Sequence, residues 1–190
     1  MKNYTPAELK VMDDFADYRL HEGDRLLKEE AFEQAGEAYR EALSLCQRLF
    51  RTQALESLHS VGACMGKLVE AALTRGDRDT AVEWIRKMTP IMVCAALCSG
   101  EADDHRKAAE ACVRQAIYEE DGWTTYRLYQ QALAYYEEIP LGEYTRQDSI
   151  RTMEVLGELC LLALRLDERD DYRTYFDLWQ ELWVENCEVQ

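Results

Sequence analysis

Residues 23–49 constrain the fold more than any other part of this sequence. Within them, aromatic and small side chains alternate at intervals of three and four residues, which places them on one face of an α-helix. These residues are Phe32, Ala35, Tyr39 and Ala42. Gly23 lies nine residues before Phe32, and Leu26 follows it. The pattern predicts two helices joined by a short turn, with small residues where the helices cross closely.

This spacing resembles the tetratricopeptide repeat, in which a small and a large residue on a first helix accompany Ala-x3-aromatic on the second. The resemblance implies an all-α fold of antiparallel helix pairs stacked as a right-handed α-solenoid. Weaker versions of the signal begin at Arg78, Gly122 and Tyr172, about 44–50 residues apart, whereas the usual repeat has about 34. Thr125 and Tyr175 replace the alanine in the last two, so the motif itself covers about one quarter of the chain.

Hydrophobic periodicity predicts about eight helices and no strand along the 190 residues. We expect one domain over residues 1–190, built from four helix pairs. The approximate pairs are 6–50, 53–99, 101–139 and 143–188. Thr5, Pro6 and Glu8 have the order of a capped helix start. Pro90 should kink or break the fourth helix at Met88–Thr89, because proline lacks the backbone donor that a helix needs.

Several features indicate the compartment. The longest apolar runs fall short of the roughly 18–20 residues of a membrane span, and the N-terminus has no apolar stretch of a secretory signal. The seven cysteines form no Cys-x-x-Cys pair, and most lie within apolar helical faces, where free cysteine behaves as a small hydrophobic residue. These are Cys46, Cys64, Cys112 and Cys160. We therefore expect a cytoplasmic protein that does not bind membranes.

Charge is distributed unevenly between the two halves of the chain. The net charge is −15, and residues 96–190 contain 9 Lys/Arg and 21 Asp/Glu, a net −12. Direct binding of nucleic acid is not expected, because it depends on clustered lysine and arginine. A basic partner would complement this charge, although acidic residues also serve solubility alone.

The resemblance also implies where a partner would bind, since the first helix of each pair would line a concave groove. The residues that this predicts are Asp17, Leu20, Asp24, Lys28, His59, Glu70, Leu73, Lys107, Glu110, Arg114 and Tyr118. For any one of them, an ordinary solvated helix face is the simpler interpretation. The hypothesis concerns the set.

The last predicted helix, from about Asp171, carries a wide aromatic stripe. The stripe can pack on the preceding helix, or part of it, Trp183 above all, can be exposed as a surface for a partner or a second copy. The residues of this candidate interface are Tyr172, Phe176, Trp179 and Trp183.

Little in the sequence indicates catalysis. Residues 62–68 are one residue short of a phosphate-binding loop and lack its Ser or Thr, and Arg25 stands where a zinc protease motif beginning at His21 needs a second histidine. Cys94, Cys98, His105 and Cys112 could in principle hold zinc, but their spacing matches no zinc motif and Cys94 and Cys98 fit a buried helix face. We expect no catalytic residue, no metal and no cofactor.

The leading hypothesis is a non-enzymatic scaffold, adaptor or chaperone-like module that binds a peptide or protein through the concave groove. Three alternatives belong to other classes. An acidic inhibitor that mimics nucleic acid would show an uninterrupted stripe of carboxylates, and a self-associating protein would use the last helix. An all-helical enzyme would instead have a deep pocket with several ionisable groups, for example around Glu70, Lys107 and Arg114.

Overall fold

The computed structural model describes residues 4–50 and 56–188, and within these ranges it contains eight α-helices and no strand. The helices, labelled in chain order, are α1 (Pro6–Lys28), α2 (Phe32–Phe50), α3 (Glu56–Thr74), α4 (Arg78–Ser99), α5 (Ala102–Tyr118), α6 (Gly122–Glu137), α7 (Arg146–Arg165) and α8 (Arg169–Glu188). The predicted helix count is confirmed. The residues between α2 and α3 that we assigned to the start of the third helix, 53–55, lie outside the described ranges.

The chain divides into two compact units, Met1–Cys98 and Ser99–Gln190. The first contains α1–α4 and the second contains α5–α8. Each unit is a set of two helix pairs with its own buried core. The expectation of one continuous domain over residues 1–190 stays a prediction.

Side-chain caps and glycines define the helix ends. The Thr5 hydroxyl accepts a hydrogen bond from the Glu8 backbone N–H, and the Glu8 carboxylate accepts one from the Thr5 N–H, as the sequence predicted. Thr145 and Asp148 form the same reciprocal pair at the start of α7. After α3, Gly76 adopts φ +78°, a left-handed conformation that ends the helix at little cost only for glycine.

The expected break at Met88–Thr89 is wrong, because α4 runs without interruption from Arg78 to Ser99, whereas the alternative of a kink there stays a prediction. Pro90 lies on the exposed side of the helix. The Thr89 hydroxyl donates a hydrogen bond of 3.0 Å to the carbonyl of Ile85, one turn earlier. The buried face on both sides of the proline, which includes Ile85 and Ala96, holds the helix together across the lost backbone bond.

In the first unit, the aromatic and small residues of α2 form the centre of the core. Ala35, Tyr39 and Ala42 are completely buried, which confirms the helical face that their spacing predicted. The Tyr39 ring covers Gly23 of α1. Cys46 of α2 meets the completely buried Cys64 of α3, with 3.8 Å between the two sulfur atoms.

The pair α3 and α4 shows its antiparallel direction through two glycines. Gly62, near the start of α3, lies against Met92, late in α4. A Cβ placed on Gly66, one turn later in α3, would lie 3.8 Å from the sulfur of Met88, one turn earlier in α4. Moving forward along α3 thus means moving backward along α4. The small residues that superficially suggested a phosphate loop serve close helix packing here.

The second unit repeats this arrangement with α5–α8. Completely buried residues of its core are Ala108, Ala109, Cys112, Ala132, Leu159 and Ala163. We expected α7, which is apolar nearly all round, to be buried on several sides. Its main face is buried, but Leu161 is 52% exposed and Leu164 is 55% exposed on the opposite face.

Contacts between corresponding helices reveal the repeat. Lys67 of α3 pairs with Asp24 of α1 at 3.0 Å, and these residues are 43 positions apart. Arg106 of α5 donates a hydrogen bond to Asp148 of α7, 42 positions later in the sequence, and Gln130 of α6 donates one to Tyr175 of α8, 45 positions later. Equivalent helices therefore lie side by side at an almost constant offset within each unit. This confirms the predicted fold class, an all-α chain of antiparallel pairs with tetratricopeptide-like repetition.

Candidate functional site

A groove of about 570 Å³ lies in the second unit between α5 and α7, with α6 beneath it. We refer to it as the α5/α7 groove. Its walls alternate charged and apolar side chains, and its floor carries two tyrosines. The lining residues are Glu110, Val113, Arg114, Ile117, Tyr129, Tyr136, Arg151, Glu154, Val155 and Glu158.

Helical spacing explains why these side chains converge. On α5, Glu110, Arg114 and Ile117 recur at intervals of four and three residues and therefore share one face. Arg151, Glu154 and Glu158 have the mirror-image spacing on α7. One face of each helix thus points at the same space, and Ile117 remains 62% exposed at its edge.

An ion pair joins α5 to α7 beside the groove. The Arg106 guanidinium donates to both carboxylate oxygens of Asp148, at 2.8 Å and 3.0 Å, and also to the carbonyl of Glu143. Burial acts to raise the pKa of Asp148, but the hydrogen bonds from Arg106 and Thr145 outweigh burial and hold it below its ordinary value. The carboxylate stays charged, and the two walls keep a fixed separation at this end.

The tyrosines of the floor remain neutral donors at physiological pH. Burial, followed by the charge of Glu158, raises the pKa of Tyr129, and burial, followed by the charge of Glu110, raises the pKa of Tyr136. On the α7 wall, Arg151 donates to Glu154 at 2.8 Å. The groove therefore offers phenol donors below and a mixed set of charges above, with three carboxylates against two guanidinium groups.

The structure brings two of the predicted residues of the second unit, Glu110 and Arg114, into this groove. Lys107 instead pairs with Asp103 and Asp104 on its own helix. Tyr118 is half-buried at the end of α5 and is not part of the lining.

In the first unit, a polar cluster joins three helices around Asp24. Its carboxylate accepts a hydrogen bond from the Tyr39 hydroxyl at 2.8 Å and pairs with Lys67, which also pairs with Glu70 at 3.2 Å. Burial acts to raise the pKa of Asp24, but these hydrogen bonds outweigh it and lower the pKa. Asp24 and Glu70, both predicted groove residues, are thus brought together through a lysine that the sequence analysis had not selected.

The other predicted residues of the first unit lie on α1 and α3 without entering that cluster. Asp17, Lys28 and Leu73 are exposed, while Leu20 and His59 are partly buried. Their assignment to a binding surface stays a prediction.

Most of the α5/α7 groove was missed by the sequence analysis, because it considered the first helices of only three pairs. Arg151, Glu154 and Glu158 belong to α7, the first helix of the fourth pair. Their spacing of three and four residues is the signal that could have identified them, since it places all three on one face of α7. The floor tyrosines, Tyr129 and Tyr136, were not among the predicted groove residues.

The predicted aromatic interface on α8 forms two stacked pairs. Tyr172 and Phe176 have ring centroids 5.8 Å apart, and Trp179 and Trp183 have centroids 5.4 Å apart, with the rings of each pair nearly parallel. Trp183 is 51% exposed, so the stripe does not pack completely on its own unit.

No group of three or more His, Cys, Asp or Glu side chains in the described ranges has the arrangement of a metal site. Cys94 and Cys98, which we had expected on a buried face of α4, are exposed, because the core face of this helix is formed by residues such as Ile85, Ala95 and Ala96. Over residues 4–50 and 56–188 we find no helix that combines the length and hydropathy needed to cross a bilayer.

Comparison with known proteins yields structural likeness only. No protein family profile matches the chain, and no curated protein has a matching sequence. Among solved structures, the chain is similar to the MamA protein (14% identity, 94% of this chain and 97% of that one, TM-score 0.40). It is also similar to the de novo designed helical repeat protein DHR64 (18% identity, 96% of this chain and 84% of that one, TM-score 0.39). A third similar structure is BtubC (BKLC) from P. vanneervenii (14% identity, 96% of this chain and 92% of that one, TM-score 0.39). At this level of similarity they say nothing about a partner or a role.

Proposed function

We propose that this protein is a non-enzymatic interaction module that binds a peptide segment of a partner protein in the α5/α7 groove. The observation that carries the proposal is the groove itself, an open channel of about 570 Å³ between equivalent helices of two repeats. Its size lies within the range of about 300–1,000 Å³ that is common for binding sites. Its length along two helices suits a chain segment better than a compact small molecule.

The chemistry of the lining favours a peptide with basic residues. Neutral tyrosine hydroxyls such as that of Tyr129 can donate to peptide carbonyls, and Ile117 offers an apolar contact. The three carboxylates of the groove outnumber its two guanidinium groups and are positioned to pair with lysine or arginine. The alternation of Glu and Arg also disfavours a mimic of nucleic acid, which requires an unbroken row of carboxylates.

We place the protein in a reducing compartment such as the cytosol. Seven free cysteines support this assignment, and the buried pair Cys46 and Cys64 has sulfur atoms 3.8 Å apart, the distance of two thiols rather than a disulfide.

A matched pair of variants tests the groove. Ile117→Glu places a charge at the edge of the groove, while Leu161→Glu makes the same change on an exposed apolar residue of α7 outside the lining. Each variant and the wild type would be used as bait in quantitative affinity capture, and the affinity of the captured protein would be measured by calorimetry. We expect Ile117→Glu to weaken binding at least tenfold and Leu161→Glu to leave it within twofold. Equal losses in both variants would refute the proposal.

A second function, self-association through α8, is favoured by one specific observation. The stripe of Tyr172, Phe176, Trp179 and Trp183 has the 4-3-4 spacing of a helix–helix seam, and its last ring is half exposed. Multi-angle light scattering of Trp183→Glu, with Leu164→Glu as the control of similar exposure, tests it. A dimer that is lost only in Trp183→Glu would support this function, and a wild-type monomer at high concentration would exclude it.

A further inference from the structure

A second pocket lies in the same unit, on the other side of Tyr136. It opens where the end of α6, the loop after it, α7 and α8 meet, and its volume is about 320 Å³. Apolar side chains form most of its wall. These are Leu133, Ile139, Leu156, Leu178 and Leu182. Of the residues around the α5/α7 groove, it shares Tyr136 alone.

Three carboxylates surround this apolar interior. Glu137 ends α6, while Glu181 and Glu185 stand one turn apart on α8, and all three belong to the pocket lining. None of their carboxylates forms a hydrogen bond or an ion pair with the described residues, which contrasts with Glu154 of the α5/α7 groove, whose carboxylate pairs with Arg151. We call the site the acid-rimmed pocket.

Tyr144 lines the same pocket as carboxylates from two different helices. Its hydroxyl is 2.7 Å from that of Thr152 inside the pocket. Burial is the main cause that raises the pKa of Tyr144, and the charges of Asp148, Glu185 and Glu137 act in the same direction. Glu137 from the end of α6 and Glu185 from α8 thus line one pocket together with this phenol.

The loop after α6 adds an exposed apolar side chain at the pocket mouth. Leu141, between Pro140 and Gly142, is 95% exposed. Such full exposure of a leucine is unfavourable unless something covers it. A partner side chain in the pocket would contact Leu141 directly.

We propose that the acid-rimmed pocket binds a basic amphipathic segment of a partner protein, with one bulky apolar side chain inserted and flanking Lys or Arg side chains on Glu137, Glu181 and Glu185. The volume is at the small end of binding sites, which fits one or two inserted side chains. The rim repels anionic lipid and nucleic acid and attracts cationic side chains, so charge complementarity selects the class of partner. An amphipathic helix carries both kinds of side chain at the required spacing.

The test uses the full chain and a synthetic peptide labelled with fluorescein. The peptide consists of Leu and Lys, with Leu at intervals of three and four residues so that it forms an amphipathic helix. A second peptide with Glu in place of every Lys is the probe control. Glu137→Gln/Glu181→Gln removes two of the three rim charges, and Glu138→Gln/Asp177→Asn removes the same net charge from exposed neighbours outside the pocket. Fluorescence anisotropy then measures the affinity of the peptide for each variant. The two variants have the same net charge and differ only in where the negative charges were removed.

We expect the Leu/Lys peptide to bind, the Leu/Glu peptide not to bind, and the rim variant to weaken binding about tenfold, since each exposed ion pair contributes a few-fold. The control variant should change affinity less than twofold. Equal affinity in the rim and control variants, or no binding by the wild type, would overturn the proposal. Loss in Ile117→Glu but not in the rim variant would place the peptide in the α5/α7 groove, which overturns this inference and leaves the proposed function standing.

Discussion

Gly23 of α1 and Tyr39 of α2 are in direct contact, with the aromatic ring against the glycine backbone. A Cβ placed on Gly23 would lie 2.6 Å from Cδ1 and 2.8 Å from Cζ of that ring. Tyr39 is completely buried and its hydroxyl is held by Asp24, so the ring cannot move away without losing that hydrogen bond. The crossing of the first two helices thus depends on the absence of one methyl group.

Gly23→Ala should therefore destabilise the protein, although alanine is the better helix former. Overpacking of this kind costs about 1–3 kcal/mol. Gly36→Ala is the matched control within α2, because a Cβ there meets only the flexible end of Arg40 at 3.7 Å, and it should be neutral or stabilising by up to about 1 kcal/mol. Urea unfolding measures both, and a stable Gly23→Ala variant would show that the ring is free to move.

Arg106→Ala should destabilise the protein by about 2–3 kcal/mol at pH 7, because it leaves the buried carboxylate of Asp148 without its bidentate partner. Arg169→Ala is the control in the same unit. Its ion pair with Asp167 is highly exposed and should contribute less than about 0.5 kcal/mol. Similar losses in the two variants would contradict the structural role of the buried pair.

The same pair predicts a pH dependence. The pKa of Asp148 is lower in the folded state than its ordinary value, so its contribution to stability is present above about pH 4 and is lost as the pH falls through the folded pKa. The difference in unfolding free energy between wild type and Arg106→Ala should consequently shrink between pH 7 and pH 3. A constant difference over this range would mean that Asp148 does not titrate as the pair requires.

Thiol reactivity should divide the seven cysteines into two groups. Cys94, Cys98 and Cys187 are exposed and should react with Ellman's reagent in the native state. The other four are buried, and burial raises the pKa of Cys112 to about 12, so its reactive thiolate is scarce at neutral pH. About three thiols should react at once and the rest only in denaturant. Rapid reaction of all seven would contradict the packing of α2 with α3.

Pro90→Ala should stabilise α4. Pro90 is exposed, so alanine loses little packing there, and the restored N–H can donate to the carbonyl of Arg86. We expect a gain of about 1–3 kcal/mol in thermal or urea unfolding. A loss of stability would indicate that the helix geometry around Thr89 requires the proline.

Local patterns of residues were sufficient for the secondary structure and for part of the core. The spacing of Ala35, Tyr39 and Ala42 predicted a buried helical face, and the residues around Thr5 predicted a helix start. These features depend on neighbours within one or two turns, which a sequence displays directly. Pro90 is the exception, because the continuity of α4 results from core contacts on both sides of the proline and not from local propensity.

The sites depend on residues far apart in the chain. Glu110 and Arg114 were selected because the resemblance to a helical repeat implied a groove there, but their neighbours across the α5/α7 groove, such as Glu154, come close only when α7 lies beside α5. The acid-rimmed pocket likewise combines Glu137 and Glu185 from separate helices.

The sequence by itself determined the helices, their ends, their pairing and the acidic excess of the second half, because periodicity, capping and charge are local or additive properties. Only the tertiary structure decided which faces stay open. The Arg106–Asp148 pair sets the distance between two walls, Trp183 remains half exposed at the last helix, and three carboxylates surround one apolar pocket. The ion pair and the pocket result from packing between residues more than forty positions apart, such as Arg106 with Asp148 and Glu137 with Glu181, and no single segment encodes that packing.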